Sequence, residues 1–95
     1  MRGMGKNSWE KVRQIFLLLK RENPTPLSIS TIAKTLNINH GSVIYYINRY
    51  LDDFVEYEGF GEMRLKLVKI KPEKENATIN TVKQYEEIKR RIKNV

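Results

Sequence analysis

Cysteine is missing from this 95-residue sequence, and histidine and tryptophan occur once each. Without cysteine there is no disulfide framework, no thiol nucleophile and no thiolate zinc site. Such a chain fits a reducing interior, so a cytoplasmic location is expected. The one histidine, His40, has no thiol beside it and no carboxylate with a reason to pair, which removes the usual parts of nucleophilic catalysis. No apolar run approaches the roughly 20 residues of a membrane span, and the opening "MRGMGKNSWEK" lacks a signal peptide's apolar stretch. Asp52 and Asp53 are adjacent, diverge on a helix and have no further ligands nearby, so neither a metal nor a cofactor is expected. Asn76-Ala77-Thr78 matches the glycosylation sequon, which without a secretion signal reads as chance. An enzyme is not expected.

What is present is positive charge, unevenly spread. Eighteen basic residues against eleven acidic give a net charge of +7. Residues 1–48 carry a balance of +5, residues 49–63 of −4, residues 64–72 of +4 and residues 73–95 of +2. A basic body broken by one acidic patch suits a polyanion met by particular surfaces. The length allows one small domain, which buries roughly 60–65% of its unfolded surface and so has a thin core.

Hydrophobic spacing then orders the chain. Asn7-Ser8-Trp9-Glu10 reads as a helix start, with Asn7 as cap and Glu10 closing a capping box. Trp9, Val12, Ile15, Phe16 and Leu19 follow at helical steps; Leu17 and Leu18 widen the stripe, and Lys11, Arg13, Lys20 and Arg21 face water. "ENPTP" ends this helix, since each proline disfavours helical geometry in the residue before it. "LSI" is a short extended piece, and Ser30 caps a brief helix, "TIAKTL", with Ile32, Ala33 and Leu36 inward. Asn37-Ile38-Asn39 is a break: Asn37 takes the left-handed exit, Ile38 points inward and Asn39 caps the next helix. Val43, Ile47, Tyr50 and Leu51 line one face of that helix, which runs to about Asp53.

The period then becomes alternating. "FVEYE" sets Val55 and Tyr57 against Glu56 and Glu58, and "EMRLKL" sets Met63, Leu65 and Leu67 against Arg64 and Lys66. A three-residue loop at 59–61 predicts a hairpin pairing Tyr57 with Met63 and Val55 with Leu65; past Leu67 the alternation slips at Val68 and Ile70. "KPEKENAT" is a charged linker, after which Ile79, Val82, Tyr85, Ile88, Ile92 and Val95 recur through a last helix.

Helix, short strand, helix, turn, helix and two-stranded hairpin is a winged helix-turn-helix layout. Ala33 holds the small position where two motif helices cross, Asn37-Ile38 the turn, and Val43 and Ile47 the anchors of the second helix. "GSVIYYINRYLDDFVEYE" resembles the recognition helix and first wing strand of the arsenic-repressor-like and multidrug-repressor-like regulators. The resemblance covers residues 8–71. It implies a mostly helical α+β fold with a winged helix-turn-helix domain over 1–72 (three helices and a two-stranded wing), to which the spacing adds a linker and C-terminal dimerisation helix over 73–95.

The second motif helix of such folds enters the major groove of double-stranded DNA. With the apolar anchors inward, the outward set is His40, Gly41, Ser42, Ile44, Tyr45, Asn48 and Arg49. Gly41 and Ser42 permit close approach, Ile44 or Tyr45 suits a thymine methyl, Asn48 adenine, and Arg49 guanine or a phosphate. The bland alternatives place Ile44 under a loop, Tyr50 in the core and His40 as a plain first-turn residue. Arg64 and Lys66 lie on the hairpin's outward face, within reach of phosphates, although Arg64 could instead pair with Glu56; Lys34, Lys69 and Lys71 extend the basic surface. The last helix's stripe, Ile79 to Val95, suits a homodimer reading two half-sites about one helical turn apart, or else folds back on its own chain. The expected function is a small dimeric transcription regulator without a ligand pocket. The competing expectation is a winged-helix module for protein contacts, supported by the acidic stretch 52–62. The abundance of isoleucine and lysine resembles an archaeal, plasmid or viral composition.

Overall fold

The computed structural model describes residues 6–59 and 66–93. Among these the chain is a small, mostly helical α+β unit with four α-helices and a three-stranded antiparallel sheet. Helix α1 runs Lys6–Glu22, strand β1 Leu27–Ser28, α2 Ile29–Leu36 and α3 His40–Tyr46. Strands β2 and β3 run Val55–Gly59 and Lys66–Ile70, and α4 runs Ile79–Lys93.

Helix α1 buries Val12, Ile15, Phe16, Leu18 and Leu19 as its spacing predicts, while Leu17 stays 45% exposed. Leu17 is therefore no part of the stripe: one residue beyond Phe16 turns the side chain about 100° away from the core. The helix is already running at Lys6, so Asn7 sits in its first turn and is not its cap. Glu10 serves along the helix instead, accepting from Gln14 at 3.3 Å and meeting Arg13 at 3.7 Å. Nor does Lys20 simply face water. Its ammonium donates to the Ala77 carbonyl at 2.6 Å and lies 5.6 Å from the Phe16 ring centre, fastening α1 to the segment before α4.

The cap of α2 is Ser28 rather than Ser30. Its backbone is extended, and its hydroxyl accepts from the Thr31 amide at 3.1 Å. The reason is β1: pairing Leu27 with Val68 and Ser28 with Leu67 holds Ser28 extended, and Ile29 opens the helix. The break at 37–39 forms as the residues require. Asn37 is left-handed (φ 56°, ψ 48°), Ile38 is buried, and the Asn39 side chain accepts from the Gly41 and Ser42 amides at 2.8 and 3.3 Å.

The hairpin register differs from the expected one. Val55 pairs with Ile70, Tyr57 with Val68 and Gly59 with Lys66. Met63 and Leu65, the expected partners, lie outside the described residues, as does the whole connection between the strands. Burial decided the register. Strand β3 is central, with β1 on one edge and β2 on the other, and its Val68 and Ile70 are 0% and 1% exposed. The slip in alternation past Leu67 is thus the true inward face, and a shift by one residue would have turned both side chains to solvent.

Beyond α3 the chain stays helical but changes pitch, with a π turn over Ile47–Leu51 and a 3₁₀ turn over Asp52–Phe54. Ile47, Tyr50, Leu51 and Phe54 all reach the core. The charged segment after β3 is also organised. Pro72–Lys74 make a 3₁₀ turn, the Lys71 amide donates to the Phe54 carbonyl at 3.0 Å, and Thr78 and Thr81 cap α4 reciprocally, amide to hydroxyl, at 3.2 and 3.4 Å. Val82, at 1% exposed, brings α4 into the same core as the preceding helices.

The left-handed residue at the break sets a test. Asn37→Ala should lower stability by about 1–2 kcal/mol, because alanine bears the full cost of that conformation. Asn37→Gly should stay within about half a kcal/mol of the parent. Denaturant midpoints of both variants check this.

Candidate nucleic-acid interface

Helix α3 is held from beneath by Val43, Ile47, Tyr50 and Leu51, all buried. Its outer surface carries His40, Gly41 and Asn48, exposed, with Ser42 half-buried. Ile44 and Tyr45, also on that surface, are 40% and 52% exposed. Six of the seven outward positions therefore lie together on one accessible face. Gly41 is used locally as well: a Cβ there would stand 3.3 Å from the Asn39 oxygen that caps the helix.

Arg49 is the residue the structure reassigns. Its guanidinium grips Glu86 of α4 with two nitrogens, at 2.7 and 3.0 Å, and lies 5.0 Å from the Tyr50 ring centre. Glu86 is only 6% exposed. The Glu86 hydrogen bond holds the Arg49 pKa above its ordinary value, against the opposing effect of desolvation. A buried carboxylate needs this cation, so Arg49 is a tie between α3 and α4 and not a free arm for a base. One signal in the sequence pointed to it: Glu86 follows Val82 by four residues and so shares the buried face of α4.

Two different flanks border α3. On the α4 side, Tyr45 meets Tyr46 and Tyr50 edge-on at 5.6 and 6.5 Å, and Tyr50 meets Trp9 at 5.0 Å. The Lys83 ammonium covers Trp9 at 5.5 Å from the ring centre. Burial pushes the Tyr50 hydroxyl pKa up. On the hairpin side, the Tyr57 hydroxyl donates toward Asp52 at 3.2 Å and lies 3.4 Å from the Asn48 side-chain oxygen. Burial and the neighbouring Asp52 anion push the Tyr57 pKa up to about 12. Tyr57 thus leans across the end of α3 and orients the amide of Asn48.

The remaining candidate positions divide. Arg64 lies outside the described residues, and of Lys66 only the backbone pairing with Gly59 is described. Among the described residues the cation that meets Glu56 is Lys69, at 3.5 Å, with Glu58 at 3.8 Å. The pairing follows from the register, which sets Lys69 opposite Glu56. Lys34 is exposed and Lys71 half-buried.

The stripe of α4 is likewise split. Val82 is buried within its own chain, Ile79 packs against the core, and Tyr85 meets Phe54 edge-on at 5.5 Å. Ile88 and Ile92 remain 52% and 68% exposed. Val95 lies outside the described residues. The first half of the stripe folds back on its own chain because the core of α1, α3 and the sheet is open to it there; Lys89, meeting Asp53 at 3.4 Å, holds the next turn.

Among the described residues no group of three histidine or carboxylate side chains gathers as a metal site, and no helix is long and apolar enough to cross a membrane. No protein-family model, curated protein or solved structure matches this chain.

Two outcomes follow from these contacts. Arg49→Ala should destabilise the fold by about 2–3 kcal/mol, because Glu86 is left buried without its cation. Glu86→Gln should cost less, since the 40% exposed Arg49 side chain keeps access to water; paired denaturation curves measure the difference. Raising the pH gives the second. Tyr57 stays neutral in the folded chain until about pH 12, whereas the unfolded chain ionises near the ordinary value of about 10. The stability this group contributes is complete below about pH 10 and is lost as pH climbs toward 12. Tyr57→Phe should therefore flatten the alkaline fall in stability and remove a late component from the phenolate absorbance titration.

Proposed function

We propose that the chain is a winged-helix DNA-binding protein, a small transcription regulator whose α3 reads the major groove of double-stranded DNA. The observation that carries this reading is the accessible outer face of α3, where Ile44 and Tyr45 stand 40% and 52% exposed beside Asn48 on a helix rigidly anchored from below. Large apolar and aromatic side chains on a helix of groove-sized dimensions suit thymine methyls, and the Asn48 amide suits adenine or another edge acceptor. In this reading Ile44, Tyr45 and Asn48 read bases, His40, Gly41 and Ser42 line the approach, and Arg49 fixes the helix by way of Glu86. The β2–β3 hairpin is the wing. Its described cation, Lys69, stands between two carboxylates. The exposed Ile88 and Ile92 supply the apolar contact for a homodimer, the arrangement that matches paired half-sites.

One specific observation favours a second reading, a module for protein contacts. The reading face has no arginine or lysine of its own once Arg49 is engaged, and Asp52 lies at its end. Selection of bound duplexes from a random pool separates the two. The DNA reading expects an enriched sequence, with a spaced repeat if the chain is dimeric. Asn48→Ala should then relax preference at one base pair by about 1–3 kcal/mol, with the fold intact. A folded chain that enriches nothing would reject the DNA reading in favour of the protein module.

A further inference from the structure

Three cations around the end of α3 are already engaged within the chain. Arg49 is bound to Glu86, Lys69 to Glu56 and Glu58, and Lys89 to Asp53. On α4, by contrast, Lys83 and Arg90 are exposed and make no ion pair among the described residues. Their positions are fixed by the contacts already described. Glu86 faces the end of α3, and Lys83 precedes it by three residues while Arg90 follows by four, so both share its flank of the helix. The Lys83 ammonium over Trp9, whose ring meets Tyr50, places that flank directly against the C-terminal end of the reading helix. The other flank of α4 is different, with Lys89 ion-paired and Tyr85, Ile88 and Ile92 apolar.

We infer that the sugar-phosphate backbone bordering α3 is held by a cationic strip on α4, formed by Lys83 and Arg90. The inference rests on the DNA reading above and adds the surface that grips the phosphates. Seven residues of helix span about 10 Å, close to three nucleotides at about 3.4 Å of rise per strand. Two long basic side chains at that separation reach phosphates about three nucleotides apart on one strand. Glu87 is the one exposed carboxylate on α4 and stands against Lys83, Arg90 and Arg91, so the surface stays positive. The Arg49–Glu86 pair gains a second purpose: it neutralises the carboxylate that would otherwise repel the backbone at the centre of the strip.

Salt dependence tests this, because each phosphate neutralised contributes about 0.9 to the slope of log affinity against log salt. The full-length chain is titrated by fluorescence anisotropy with the duplex it selects and with a scrambled duplex, from low to high salt. Lys83→Ala/Arg90→Ala should reduce the slope by about 1.8, weaken both duplexes alike and leave their ratio unchanged, with the thermal midpoint lowered only by the loss of the Lys83 contact with Trp9. The hairpin counterpart, Lys69→Ala/Lys71→Ala, should barely change the slope. If the double alanine variant fails to fold, Lys83→Gln/Arg90→Gln gives the same comparison. A slope that is unchanged in the α4 variant, or that falls only in the hairpin variant, overturns the inference while the DNA reading stands. A folded parent chain that binds neither duplex overturns the DNA reading, and the inference with it.

Discussion

Phe54 is where the parts of this molecule meet. It is 1% exposed, stands edge-on to Phe16 of α1 at 6.1 Å and to Tyr85 of α4 at 5.5 Å, and carries the Lys74 ammonium at 5.3 Å from its ring centre. Its carbonyl accepts from the Lys71 amide, closing the chain that leaves β3. A domain this small has a thin core, so one large aromatic ring must serve several elements at once. That demand explains the change of pitch after α3. The π and 3₁₀ turns bring Phe54 inward and then release Val55 directly into the sheet. Burying Phe54 fixes the end of the helical segment that begins with α3, and that end in turn receives α4.

Charge is arranged around the same junction. The acidic stretch that interrupts the basic sequence is largely consumed inside the molecule. Asp53 meets Lys89, Glu56 and Glu58 share Lys69, and Asp52 accepts from Tyr57. Exposed pairs of this kind are worth only about 0–1 kcal/mol each, yet they determine which cations remain for an outside partner. Glu86 stands apart because it is buried, and its hold on Arg49 links the posture of α4 to that of α3. On the α4 flank beside Trp9, Lys83 and Arg90 remain exposed without an ion pair among the described residues.

Much of this was legible in the sequence, for a definite reason. Helical periodicity reports burial on one helix without reference to any other, so Val12, Ile15, Phe16 and Leu19, and later Val43, Ile47 and Leu51, declared their inward faces. The turn at 37–39 was legible because asparagine side chains bond to their own neighbourhood: a left-handed Asn37 and a capping Asn39 need no distant partner. The outer face of α3 followed as the complement of its buried face. The hairpin register was not legible, because two alternations, Met63–Leu65–Leu67 and Val68–Ile70, competed within one segment. Only a central strand packed between β1 and β2 chooses between them.

The sequence by itself determined the local quantities, which residues are helical, which side of each helix is apolar and where the chain must turn, because these depend on interactions within a few residues. The tertiary structure alone decided what Arg49 holds, which half of the last helix is spent on the core, and which cations are left over. Those outcomes belong to residues far apart in sequence, such as Arg49 and Glu86, or Lys20 and Ala77. A charge is available to a ligand only when no neighbour has already claimed it, and folding decides who the neighbours are.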